Sequence, residues 1–218
     1  MIYYNLHTHS DPADDSIVAV VNVYPKEYPT TKKYFSVGIH PWYIDQENLE
    51  SEFAIIERAL QDKNCLAIGE CGIDKKIETD IELQTRIFER QLLLAEKFEM
   101  PVILHCVAAY DELIAVKNQL NITVPLIIHG FAKSPEMAQQ LESHGIILSF
   151  GKYLLRNPDL AKSLIAISDE SFLLETDNAD ETIQAVYQRA AEAKNISLNE
   201  LDSIIERNFA RIFSKYKI

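Results

Sequence analysis

The stretch Cys65–His105 reads CLAIGECGIDKKIETDIELQTRIFERQLLLAEKFEMPVILH. It opens on an apolar run, Cys65–Gly69, and closes on another, Val102–Leu104. Both are short and do not alternate with polar residues, the pattern of strands buried on both faces. Between them, Glu82–Phe98 carries its apolar residues at helical spacing. A strand, a helix and a strand in that order imply a parallel pair joined by a crossover helix. The alternation extends in both directions. Strands are predicted at Tyr3–Leu6, Val18–Val23, Tyr34–Ile39, Leu126–Ile128, Ile146–Phe150 and Phe172–Leu174. Helices are predicted at Leu49–Leu60, Tyr110–Leu120, Pro135–Leu141, Asp159–Ile167 and Asp180–Ala193. A last helix opens at Ser197 as N-cap, with Glu200 completing a capping box.

Eight strands in such an order predict an α/β fold of the TIM-type (β/α)8 barrel class, which takes roughly 250 residues. At 218 residues the chain is short for it. The deficit falls near the start. Ser10–Ser16 and Pro25–Lys33 are too brief, and too rich in Asp, Pro and Thr, for ordinary crossover helices. Seven extended residues span at most about 24 Å, enough to return along a short strand and no more. The expectation is a single domain over residues 1–218, a distorted barrel with its first two outer helices missing or reduced.

Composition narrows the function. A hydrophobic content of 47% supports one sizeable core, and no apolar run approaches the ~20 residues of a membrane span. Three cysteines, Cys65, Cys71 and Cys106, without close pairs suit reduced thiols. With no signal-like N-terminal pattern, the expected location is cytoplasmic. The formal charge of −12 excludes an extended cationic surface for duplex DNA. A small anionic substrate, or the end of a single strand, remains compatible with local positive charge such as bound cations.

Five of the six histidines, His7, His9, His40, His105 and His129, fall at or just after the ends of predicted strands. Glu70 and Asp177 take the same position after their strands. In a parallel barrel those ends open on one face, where active sites are built. His7 and His9 are two apart, so in an extended strand they project to one side. Imidazoles with carboxylates in one cavity suit a transition metal, since buried ionisable groups need partners. His144, in Glu142-Ser143-His144-Gly145, reads as a helix C-cap.

The motifs His7-Thr8-His9, Gly38-Ile39-His40-Pro41, Gly69-Glu70-Cys71-Gly72-Ile73-Asp74, Pro101-Val102-Ile103-Leu104-His105, His129-Gly130-Phe131 and Glu175-Thr176-Asp177 together resemble the TatD family of metal-dependent hydrolases, within the amidohydrolase superfamily. The similarity runs over nearly the whole chain. It implies one or two divalent metals (Zn, Mn, Ni, Fe or Mg), with His7, His9 and Asp177 on one, His105 and His129 on the other, and Glu70 bridging. It also implies that His40 faces the substrate, that Asp74 and Glu175 support the ligands, and that Asn208 has a structural role in the closing helix. Members are described as deoxyribonucleases or phosphodiesterases. Three departures concern the substrate: Val107 stands where the family often has Arg, Asn178-Ala179 leads almost directly into a helix, and the reduced segments after strands one and two remove possible site walls. Lys152, read as a loop residue after the seventh strand, is the remaining cation for an anionic substrate.

The expected reaction is hydrolysis of a phosphodiester by two-metal activation of water, with Asp177 as proton acceptor and Glu70 and His40 in the catalytic set. Hydrolysis of a small amide or lactone is the alternative. A metal-stabilised binding protein is a third reading, which the intact ligand set disfavours.

Overall fold

The computed structural model describes residues 1–215. Among them, eight strands form one sheet in sequence order: β1 (Tyr3–Thr8), β2 (Ile17–Val23), β3 (Phe35–Val37), β4 (Cys65–Asp74), β5 (Val102–Val107), β6 (Leu126–Ile128), β7 (Ile146–Phe150) and β8 (Phe172–Leu174). β1 with β2, β3 with β4, β4 with β5 and β7 with β8 pair in parallel. The helices are α1 (Leu49–Ala59), α2 (Ile81–Phe98), α3 (Tyr110–Gln119), α4 (Pro135–Ser143), α5 (Lys152–Arg156), α6 (Leu160–Ile165), α7 (Ile183–Lys194) and α8 (Leu198–Ile212). This is the α/β class and the strand order of a TIM-type (β/α)8 barrel. As expected, among the described residues no helix lies between β1 and β2, and a single 3-10 turn, Pro25–Glu27, lies between β2 and β3.

By its contacts the chain divides into two compact units, residues 22–126 and residues 1–21 with the chain from 127 on. In the 22–126 unit, Phe35, Phe53, Ile56, Ile68, Phe88 and Leu92 are buried. Helix α2 starts where Asp80 accepts a hydrogen bond from Leu83 N at 2.9 Å, satisfying an amide that has no partner within the helix. Its buried face mixes Ile87, Phe88 and Leu92 with Gln84 and Gln91.

In the other unit, Leu6, Phe131, Phe150, Phe172 and Phe209 form the core. Helix α8 buries Leu201, Ile204, Ile205, Asn208, Phe209 and Ile212 along one stripe, and Ser197 caps it by accepting from Glu200 N at 3.2 Å. Each such apolar side chain contributes about 1.5–3 kcal/mol on burial. Asn208 Nδ2 donates to the Asp169 and Phe172 carbonyls at 2.6 and 2.9 Å, so it ties α8 to β8. β8 lies beside β1, where a parallel bridge pairs Thr8 with Asp177. His144 is the C-cap of α4, as read from the sequence.

Three elements differ from the sequence reading. β4 runs past Gly69 to Asp74 because Gly72, at φ 148°, has no Cβ; one there would collide with the His105 carbonyl on β5. β5 likewise continues beyond Leu104, so His105 lies within a strand. Lys152 is not a solvated loop residue. It opens the short helix α5, and its side chain is 15% exposed.

Candidate functional site

Within residues 22–126, the second half of β4 carries Glu70 and Asp74, β5 carries His105, and His40 lies just beyond β3. Glu70 Oε1 sits 2.8 Å from His105 Nδ1 and 3.1 Å from His40 Nε2, so one carboxylate oxygen serves two imidazoles. The far side of the His105 ring, Nε2, meets Asp74 Oδ2 at 3.3 Å. Trp42 Nε1 donates to that same oxygen at 2.7 Å, and Trp42 N donates to His40 Nδ1 at 3.1 Å. Burial would raise the Asp74 carboxyl, yet the bonds from Trp42, Lys76 N and His105 leave it below the ordinary value.

Several neutral residues that the sequence reading passed over fix this backbone. Asn22 Oδ1 accepts from Glu70 N at 2.7 Å. Gln84 accepts from Asp74 N at 2.8 Å and donates to the Asp74 and Thr79 carbonyls. Gln91 accepts from Ile39 N at 2.8 Å and donates to the Ile39 carbonyl. The available signal was two glutamines seven residues apart on the apolar stripe of α2, where a buried amide needs a backbone partner.

In the other unit, His7 on β1 is fully buried and His9 just beyond it is partly exposed. Their Nε2 atoms lie 3.7 and 3.5 Å from Asp177 Oδ1. The His129 ring, placed after β6, stands 4.5 Å from the His7 ring, and His7, His129 and Asp177 offer donor atoms within 4.8 Å of one another. Glu175 Oε1 stands 3.5 Å from His129 Nδ1 and accepts from Gly130 N at 2.8 Å.

Asp177 has a left-handed backbone, φ 55°, which Asp tolerates better than most residues. Its amide donates to the His7 carbonyl at 2.9 Å while His9 N donates to the Asp177 carbonyl at 3.2 Å, so the ligand-bearing segments are laced together. Asn5 adds to the lacing by exchanging two hydrogen bonds with Thr176. Lys152 Nζ donates to Asp177 Oδ2 at 2.8 Å and to Asn178 Oδ1 at 2.6 Å. Burial works to raise the Asp177 carboxyl, but the Lys152 bond, with His7 and His129 close by, holds it below the usual carboxylate range.

Both clusters are mixed imidazole and carboxylate sets, which fit a divalent transition metal better than an all-oxygen cation site. Cys71 is fully buried and burial pushes its pKa up, which disfavours the thiolate that would ligate or attack.

Residues 15–214 match the protein-family model described as TatD related DNase. An uncharacterized metal-dependent hydrolase of Haemophilus influenzae is 30% identical over 156 residues, which is 67% of this chain and 59% of that protein. The 3'-5' ssDNA/RNA exonuclease TatD of Escherichia coli is 33% identical over 148 residues, 65% of this chain and 56% of that protein. The matched stretch thus spans less than two thirds of the length of either relative. A solved structure of a TatD homologue from Escherichia coli K12 superposes with a TM-score of 0.82 over 97% of this chain and 98% of that one, at 21% identity, which shows the fold. With the family model matching from residue 15 to residue 214, this chain belongs to the TatD related DNase family.

Proposed function

We propose that this protein is a divalent-metal-dependent phosphodiesterase acting on small anionic substrates or on the ends of single-stranded nucleic acid. The observation that carries this reading is Asp177, a mostly buried carboxylate with imidazoles at one oxygen and the Lys152 ammonium at the other. A cation beside a ligand set, on an otherwise acidic chain, suits a substrate whose charge is local. The 3'-5' ssDNA/RNA exonuclease activity for which the Escherichia coli relative is named supports the same class.

His7, His9, His129 and Asp177 would hold metal in one cluster, and Glu70 and His105 in the other, with His40 toward the substrate. A bound divalent metal supplies Lewis acidity and a water of lowered pKa. The protein's own part is to place and move a proton. An arriving phosphoryl oxygen competes with Asp177 Oδ2 for Lys152 Nζ. Once Lys152 turns to the substrate, Asp177 Oδ2 loses its ammonium partner and is open to a proton. Oδ2 then takes the proton of the attacking water as the new P–O bond forms, and returns it to the leaving oxygen as the old bond breaks.

A metal-supplemented screen tests this reading with single-stranded DNA and RNA oligonucleotides, simple phosphodiesters and phosphomonoesters, amides and lactones. Chelator-sensitive turnover of phosphodiesters is expected. Turnover confined to amides or lactones overturns the proposal and favours the alternative hydrolase chemistry.

A further inference from the structure

The segment after β2 and the segment after β3 enclose a cavity of about 350 Å³, wholly within residues 22–126, whose walls include Tyr24, Lys26, His40, Tyr43, Asp45 and Glu52. That volume is in the range of small-molecule sites. One wall is aromatic. The Tyr24 and Tyr43 rings meet edge to face at 5.1 Å, and the Tyr43 ring lies 5.5 Å from the His40 ring. Tyr43 is nonetheless 54% exposed, and the neighbouring Trp42 is 55% exposed. The lining is also acidic, with Asp45 and Glu52. Glu52 Oε2 is buried, and among the described residues no donor reaches it. Burial, and then the nearby Asp45, push the Glu52 carboxyl above its usual range, with Lys26 opposing. A flat ring with hydrogen-bond donors on its edge suits both: a face for the tyrosine and donors for the Glu52 carboxylate that lines the cavity.

We propose that this cavity is a nucleobase subsite that prefers guanine. The base stacks on Tyr43 and presents its adjacent N1–H and N2–H donors to the Glu52 carboxylate. Adenine and cytosine offer one amino group there, and thymine turns carbonyl oxygens toward Glu52 and Asp45. His40 belongs both to the cavity wall and to the Glu70 cluster, at 3.1 Å from Glu70 Oε1, so a base held here lies beside the residue placed toward the substrate. This rests on the phosphodiester reading above and specifies which part of the substrate the protein recognises.

Two measurements test it. In chelator, guanosine binding is followed by calorimetry for wild type, Glu52→Gln and Tyr43→Ala. With metal, kcat/KM is measured for the guanine and thymine homodinucleotides and for a base-free phosphodiester. Wild type should bind guanosine and favour the guanine dinucleotide over the thymine one by about tenfold, mainly through KM. Glu52→Gln should abolish that ratio. Tyr43→Ala should lower the ratio of base-bearing to base-free turnover by about tenfold, within the range for loss of one stacked base. Circular dichroism melting confirms that both variants fold. Guanosine binding weakened by Glu52→Gln without hydrolysis of any phosphodiester leaves the subsite standing and removes the phosphodiesterase reading. Phosphodiester hydrolysis with ratios unmoved by either substitution removes the subsite and leaves the hydrolase.

Discussion

Trp42 and Asp74 are joined by a 2.7 Å hydrogen bond from the indole Nε1 to Oδ2, the carboxylate oxygen that also faces His105 Nε2 at 3.3 Å. A side chain 55% exposed to solvent therefore helps to orient a buried imidazole. Trp42→Phe keeps an aromatic ring and removes the donor. On the metal reading, the affinity of the Glu70–His105 pair should fall by about tenfold or more, the usual cost of losing a group that orients a ligand. Titration against a competing chelator measures this, and an unchanged affinity would mean that Asp74 holds the ring unaided.

Asp177→Asn keeps the size of the side chain and removes its charge. Turnover should fall by about 100-fold to 10,000-fold, the range for a missing general base. At matched metal occupancy, which removes the metal's own contribution, melting should fall only by what the Lys152–Asp177 pair contributes. More than about a tenth of wild-type kcat, with the metals in place, would show that another group takes the proton.

Acid should destabilise the metal-free protein in part through the same residue. The folded Asp177 carboxyl is held below its ordinary value, so the stability it contributes is complete above the unfolded carboxylate pKa of about 3.9 and is lost as pH falls through the lower, folded value. Urea unfolding in chelator from about pH 6 down to 3 should therefore show a shallower loss of stability for Asp177→Asn than for wild type. Lys152→Met should also flatten the curve, because it removes the main group holding that carboxyl down. Identical slopes for all three proteins would rule out this linkage.

Gln84→Ala should be costly for its size. It strands the Asp74 amide and leaves the Asp74 and Thr79 carbonyls without their side-chain donor inside the 22–126 unit. A buried polar group left unsatisfied costs about 1–3 kcal/mol. For a chain of this length each kcal/mol moves Tm by roughly 2–4 °C, so a fall of about 5 °C is expected by calorimetry. A drop below about 1 °C would show that the backbone finds other partners.

The strand and helix alternation was legible because apolar runs and helical stripes carry their period in the sequence. Their ends were less so. Gly69 looks like a strand terminus when read alone, and only the approach of Gly72 to the His105 carbonyl explains why β4 continues. Helix α5, five residues from Lys152 to Arg156, is too short to show a period. The histidines stood out because they recur at strand ends. Asn22, Trp42, Gln84 and Gln91 did not, because the value of an amide or indole lies in a partner that spacing does not reveal. The cavity beside His40 was invisible for a similar reason: Tyr24, Tyr43 and Glu52 share a wall only after folding.

The return to β2 beyond His9, residues 10–16, has consequences for redesign. It lies at the surface without a helix and borders a cavity of about 510 Å³ with Thr8, Thr176 and the start of α7. Lengthening a flexible connection is inexpensive, about 0.6 kcal/mol for each doubling. A helix could therefore be grafted into this return, giving the protein a new vestibule next to Asp177 without altering any of the residues that would bind metal.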